Sequence, residues 1–156
     1  MQGEPKIIES LNDCLTAELT AINQYYVHYK MCENWGYEKL AQKMREESIE
    51  EMKHADQLIE RILYFEGVPN MQRLYPVRVG ETVPEQMDLD LALEKEAVER
   101  LNNAIQLCSD KNDNGTRELL EDMLRQEEES VDWTEAQIGI IAEIGKENYL
   151  AEQIHA

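Results

Sequence analysis

The sequence predicts an all-α protein: a four-helix bundle with one long crossover and a short fifth C-terminal helix. Three observations favour this class. Apolar residues recur at steps of three and four along four long segments, no alternating strand pattern of useful length occurs, and Gly and Pro are concentrated between the segments. The length of 156 residues suits a single domain spanning 1–156 that is large enough to bury a core.

The first helix is predicted over about 5–35 and the second over about 38–66. Pro5 suits the first turn of a helix, because a proline there gives up no intrahelical hydrogen bond. Gly36 separates the two segments, and Gly67 suits a helix C-terminus. The connection at 36 is short, so these two helices are expected to pack as antiparallel neighbours.

The third helix is predicted over about 83–111, the fourth over about 116–145 and the fifth over about 146–154. Thr82 to Glu85 has the pattern of a capping box. The link near 112 is short, whereas 67–82 is long enough to run the height of the bundle. One long crossover in the middle of the chain is the ferritin-like topology.

The charge of the chain restricts its partners. Its 15 basic and 33 acidic residues give a formal net charge of −18. This excess argues against binding to nucleic acid or to an anionic membrane surface and favours metal cations. No apolar run has the length of a membrane span, and Met1–Pro5 does not resemble the start of a signal peptide, so we expect a cytoplasmic location. The three cysteines are expected to be reduced thiols.

Each of the four apolar stripes is interrupted by an acidic residue. Glu18 interrupts the first stripe, Glu51 with His54 the second, Glu94 the third and Glu127 the fourth. Carboxylates that converge in a core repel one another and become protonated unless positive charge compensates them. Lys and Arg are absent from these stripes near the acids. We therefore predict a pair of metal ions at the centre of the bundle.

The spacing of the acids supports the same interpretation. Glu18 and Glu51 are 33 residues apart, as are Glu94 and Glu127, which indicates two helix hairpins related by an internal two-fold repeat. Glu51 and His54 are three residues apart and share one helix face, so together they can bind one ion. The alternative is that each glutamate extends from the edge of its stripe into solvent.

The whole chain resembles the bacterioferritins, the haem-containing branch of the ferritins. The resemblance lies in segments 21–26, 34–36, 47–56, 61–67, 130–133 and 145–150, and the Met-Lys-His-Ala-Asp run after Glu51 is its most specific part. It implies a homo-oligomeric shell of 24 subunits, built from two-fold dimers, that stores ferric mineral. It also implies a ferroxidase centre that binds two iron ions per subunit and oxidises Fe(II) with O₂ or H₂O₂.

The resemblance also implies roles for individual residues. Carried over by position, Glu18 and His54 would be terminal ligands of one iron ion and Glu94 of the other, while Glu51 and Glu127 would bridge the two. In the family a second histidine ligand lies three residues after Glu127, but here that position is Ser130.

Ser130 leaves one iron site without an imidazole. A water molecule, Glu128 or Glu129 would be the substitute, and otherwise the second site would be weak and oxidation slow. An alternative function follows: a haem-binding subunit with an impaired centre that co-assembles with an intact second subunit. A di-iron or di-manganese oxidase acting on an organic substrate is the third reading. The apolar stripes contain no group of small residues that would leave a cavity for an organic substrate, which argues against this third function.

Met52 lies on a second apolar flank of its helix. Its spacing alone favours a methionine at an interface between subunits. The resemblance instead implies an axial ligand to a haem b shared between two subunits, in a pocket formed by Leu19, Ile22, Asn23 and Tyr26.

Two other residues of the first helix have less specific patterns. Tyr25 fits an electron or hydrogen-bond donor near the metal site, with a core aromatic as the alternative. His28 has no partner at ligand spacing, so we expect a surface or interface position.

Overall fold

The computed structural model describes residues 1–156 and contains five helices and no strand. Their bounds are α1 Pro5–Trp35, α2 Glu38–Tyr64, α3 Val83–Asp110, α4 Asn114–Ile144 and α5 Lys146–Ala151. The predicted fold class is confirmed. The boundaries differ by up to three residues from the predicted ones, most visibly at the end of α5.

The ends of the helices follow from local chemistry. The Thr82 side chain accepts a hydrogen bond from the backbone N–H of Glu85 at 3.3 Å, and the Glu85 carboxylate accepts one from Glu81 at 2.8 Å. The Asp113 side chain caps the backbone N–H of Thr116 at 3.0 Å, which lets α4 begin at Asn114, two residues earlier than predicted. Gly36 ends α1 with φ of 86°, a conformation that glycine adopts without strain.

Two apolar clusters form the core, one towards each end of the bundle. One contains Ile7, Leu11, Leu15, Leu58, Ile62, Leu101, Leu120 and Met123, and the other contains Tyr25, Leu40, Met44, Val83, Met87, Leu93 and Tyr149. The hairpins α1–α2 and α3–α4 pack against each other through these clusters. The interrupting acids therefore lie at mid-height, between two blocks of apolar packing.

The long crossover between α2 and α3 is attached to α1 by a polar ladder. The ladder residues of α1, spaced four apart, are Asn12, Thr16, Thr20, Gln24 and His28. Their partners in the crossover are, in order, Val68 and Asn70, Arg73, Tyr75, Arg78 and Gly80, at 2.8–3.2 Å. A step of four residues keeps side chains on one helix face, so the crossover follows α1 for most of its length.

The position of His28 differs from the prediction. Its side chain is fully buried (0% exposed), so the expected surface or interface position is wrong. Its Nε2 accepts the Gly80 N–H at 3.0 Å, and Nδ1 therefore carries the proton and donates to Asp90 Oδ1 at 2.9 Å. Gln24 Nε2 donates to the same oxygen at 3.0 Å. These contacts join α1, the crossover and α3.

The cysteines are three buried free thiols, Cys14, Cys32 and Cys108. Burial raises the pKa of Cys14 and of Cys32 to about 12, so both remain neutral at physiological pH. No helix combines the length and the apolar character that crossing a bilayer requires.

Candidate metal centre

Four side chains from three helices converge at mid-height. Glu18 comes from α1, Glu51 and His54 from α2, and Glu127 from α4, and their ligand atoms all lie within 4.8 Å of one another. His54 Nδ1 is 3.6 Å from a Glu18 oxygen and 3.7 Å from an oxygen of each of the other two carboxylates. Carboxylate and imidazole atoms bound at about 2.0–2.2 Å to one ion lie at comparable separations, so the group can close around a cation.

The group lacks the partners that buried polar atoms normally have. Glu18 Oε2, His54 Nδ1 and Glu94 Oε2 are buried without a hydrogen-bond partner. No Lys or Arg forms an ion pair with Glu18, Glu51 or Glu127. Unpaired buried carboxylates are costly, so the arrangement requires either bound protons or a bound cation.

The imidazole of His54 is oriented for ligation. Its Nε2–H donates to Gln126 Oε1 at 2.6 Å, which leaves Nδ1 directed at the three carboxylates. Burial alone would lower the pKa of His54, but the neighbouring Glu51 and Gln126 outweigh it and raise that pKa. A cation at Nδ1 would therefore displace a proton. Gln126 was not among the predicted site residues, because its role depends on a contact between α2 and α4.

Glu94 lies beside the group of four rather than within it. It lines a small internal cavity of about 10 Å³ together with Glu18, Tyr25, Glu51 and Glu127, which is about the volume that one water molecule needs. Its Oε1 accepts hydrogen bonds from the Tyr25 hydroxyl and, at 3.2 Å, from Thr134. The structure thus brings all five predicted ligands to one place, with Glu94 beside the group of four.

Two acids of the centre, Glu94 and Glu127, have raised pKa values and hold protons when no cation is present. Burial raises the pKa of Glu94 to about 9, with the charges of Asp90 and Glu47 adding to the effect. Burial, followed by the charge of Glu51, also raises the pKa of Glu127. Burial and Glu94 raise the pKa of Tyr25, so its hydroxyl stays protonated and available as a donor.

Ser130 faces a polar cleft next to the centre. The cleft has a volume of about 190 Å³ and is lined by Lys43, Glu47, Glu50, Glu51, His54, Gln126, Glu129 and Ser130. The Ser130 hydroxyl donates to Glu47 Oε2 at 3.0 Å, and Lys43 Nζ is 3.1 Å from the other oxygen. Glu47 is only 8% exposed, whereas the expected substitutes Glu128 and Glu129 are exposed. The sequence places Glu47 one turn before Glu51, but its contact with Ser130 is visible only in the fold.

A second predicted site lies on the outer face of α1 and α2. Met52 is 50% exposed and Tyr26 is 57% exposed; Asn23 is also exposed, while Leu19 and Ile22 are partly buried. Ser48 Oγ donates to the Ile22 carbonyl at 3.0 Å, so this part of α1 runs alongside the turn of α2 that carries Met52. Large apolar side chains are thus exposed together on one face of the chain.

Comparison with known proteins identifies the family. Residues 8–144 match the family model described as a ferritin-like domain. The chain is 46% identical to the bacterioferritin of Mycolicibacterium paratuberculosis over 152 residues, which covers 97% of this chain and 96% of that protein. The chain belongs to the bacterioferritin family. The resemblance predicted from sequence is confirmed.

Other bacterioferritins show the same extent of similarity. That of Brucella melitensis is 46% identical over 149 residues, covering 96% of this chain and 92% of the relative. The bacterioferritin of Streptomyces coelicolor is 45% identical over 154 residues, covering 99% of this chain and 92% of the relative. The similarity to bacterioferritins therefore extends through all five helices and the long crossover.

Proposed function

We propose that this protein stores iron, and that it oxidises Fe(II) to Fe(III) at the bundle centre before the ferric product enters a mineral held inside a multi-subunit shell. Iron is the substrate and the cargo in this scheme. O₂ or H₂O₂ takes up the electron that each Fe(II) loses. The observation that carries the proposal is the buried group Glu18, Glu51, His54 and Glu127, whose ligand atoms lie within 4.8 Å of one another and include the unpaired Glu18 Oε2 and His54 Nδ1.

The residues of the centre have separate tasks in this reaction. Glu18 and His54 would hold one Fe(II), Glu51 and Glu127 would bridge the pair, and Glu94 would hold the second. Binding displaces protons from carboxyl groups whose pKa burial has raised, so the carboxylates become available as the ions enter. The anionic ligands favour the more highly charged Fe(III) over Fe(II), which promotes loss of the electron.

Tyr25 is proposed as a hydrogen-bond or electron donor at the edge of this centre. Its hydroxyl donates to Glu94, and the ring is buried against the cavity that the ligands share. The contact holds Glu94 in place and gives any electron or proton from the phenol a direct path to the second iron position.

The exposed face of α1 and α2 fits a shared haem b. Met52 offers one thioether with no internal partner, so it would hold the haem together with the same methionine of a two-fold copy of the chain. Leu19, Ile22 and Tyr26 offer apolar contacts to a flat ring, and Asn23 a polar one. A haem held by two methionines has a raised potential and supplies electron-transfer capacity when bound.

The assembly we propose is a homo-oligomer of 24 subunits built from two-fold dimers, located in the cytoplasm. Its support is the family membership and the amount of apolar surface that a single chain leaves exposed, including Leu63 at the end of α2 and Val68 in the crossover. Such surface is usual at an interface rather than on an isolated protein.

The oxidation step is tested by following Fe(II) oxidation in the purified, metal-free protein. Glu127→Gln keeps the size of the side chain but removes its charge from the centre, and Glu128→Gln is the matched control because Glu128 is exposed. We expect Glu127→Gln to lower the initial rate at least tenfold and Glu128→Gln to leave it unchanged. An unaltered rate in Glu127→Gln would contradict the proposed centre.

A second function is favoured by Ser130: a haem-binding subunit with an impaired centre that co-assembles with a catalytically intact one. Purifying the chain by itself distinguishes the two candidate functions. Assembly into a shell with Fe(II) oxidation supports the first function. Assembly and haem absorbance with no oxidation support the second.

A further inference from the structure

We infer that Glu47 is a ligand of the second iron ion and takes the place of the histidine that this chain lacks at position 130. The inference rests on the proposed function, because it concerns the same pair of ions. It assigns to Glu47 a role that belongs to a different residue, on a different helix, in the family pattern. The juxtaposition that carries it is the contact between Glu47 on α2 and Ser130 on α4.

The position of the Glu47 carboxylate suits this role. It is buried, it lies one turn before Glu51, and it lines the same cleft as Glu51 and His54. Its Oε2 lies 3.0 Å from the Ser130 hydroxyl. A histidine at 130 would extend from the same Cβ as that hydroxyl, so the carboxylate occupies space into which the ring would reach.

Glu47 is the buried acid that contacts Ser130. The residue is 8% exposed, and its carboxylate accepts the hydrogen bond of the Ser130 hydroxyl at 3.0 Å. Glu128 and Glu129 are exposed, although Glu129 also lines the cleft. Of these three candidate ligands, Glu47 is the buried one.

Lys43 compensates the negative charge that Glu47 adds when it takes the place of a neutral histidine. Replacing a neutral imidazole by a carboxylate adds one negative charge to the ligand set. Lys43 Nζ lies 3.1 Å from Glu47 Oε1 and supplies one positive charge at the outer side of the same carboxylate. One oxygen can therefore stay paired with Lys43 while the other turns from Ser130 to the ion.

The test measures Zn²⁺ binding to the assembled, metal-free protein by calorimetry, together with anomalous diffraction from Zn²⁺-soaked crystals. The variants are Glu47→Gln, the matched control Glu46→Gln on the exposed side of the same helix, and the double variant Glu47→Gln with Ser130→His. Zn²⁺ is not oxidised, so the readout is independent of activity.

We expect two Zn²⁺ peaks in each bundle of the unaltered protein, the second at about 2.0–2.2 Å from a Glu47 oxygen. Glu47→Gln should weaken the second ion at least tenfold, Glu46→Gln should not, and the double variant should recover it. Two peaks with unchanged affinity in Glu47→Gln would overturn the inference, as would a single peak in the unaltered protein. If no variant binds Zn²⁺ in the bundle, the proposed function itself fails.

Discussion

Replacing Glu94 by Gln should stabilise the metal-free protein, although it removes a proposed iron ligand. In the folded protein the pKa of Glu94 is raised from 4.5 to about 9, so the native state holds a proton that the unfolded chain releases at neutral pH. The free energy of unfolding therefore falls as the pH rises from about 4.5 to 9. At pH 7 the penalty is about 3 kcal/mol, from roughly 1.4 kcal/mol for each pH unit above the ordinary pKa. Gln cannot ionise, so the variant does not have this penalty.

The assay is urea unfolding of EDTA-treated protein at one fixed protein concentration, at pH 5, 7 and 8.5, because assembly contributes to apparent stability. Glu99→Gln is the control, since Glu99 is exposed on the same helix. We expect Glu94→Gln to exceed the unaltered protein by about 3 kcal/mol at pH 7 and by less than about 1 kcal/mol at pH 5. A stability difference that does not change with pH would refute the reasoning that Glu94 is buried as a neutral acid.

Three further outcomes are expected. His28→Phe leaves the Gly80 N–H unpaired, at about 1–3 kcal/mol, and removes one of the two donors to Asp90 Oδ1, so thermal unfolding should show a clear loss of stability; a loss below about 1 kcal/mol would contradict the assigned contacts. Met52→Leu keeps the side-chain volume and removes the thioether, so the shell should persist by light scattering while haem absorbance disappears; retained haem with an unchanged spectrum would make Met52 a packing residue. Ser130→His should accelerate Fe(II) oxidation, because it adds a neutral imidazole three residues after Glu127, the same spacing that His54 has to Glu51; an unchanged rate would show that the second site is already complete.

The fold and the centre of the site could be predicted because both follow from helical periodicity. Four acids at matched offsets inside apolar stripes, Glu18 and Glu127 among them, indicate positions in the core before the details of packing are known. Glu47 and Gln126 could not be assigned in the same way, because their roles depend on which side chain of a neighbouring helix they meet. His28 was expected at the surface because it has no partner at ligand spacing, but its contacts with Gly80 and Asp90 come from the crossover and from α3. The polar residues that recur at steps of four on the first helix, ahead of a long crossover, are a signal that could have been used.

The polar ladder between α1 and the crossover limits how the length of this connection can vary. From Asn12 to His28 the helix rises about 24 Å at 1.5 Å per residue, and the partners in segment 68–80 follow in the same order. Surface connections usually accept inserted or deleted residues at little thermodynamic cost. Here a single deletion near Arg73 would move every later donor away from its acceptor, up to the Gly80 N–H that His28 accepts. We expect the crossover to tolerate substitution of its exposed side chains but not a change in its number of residues.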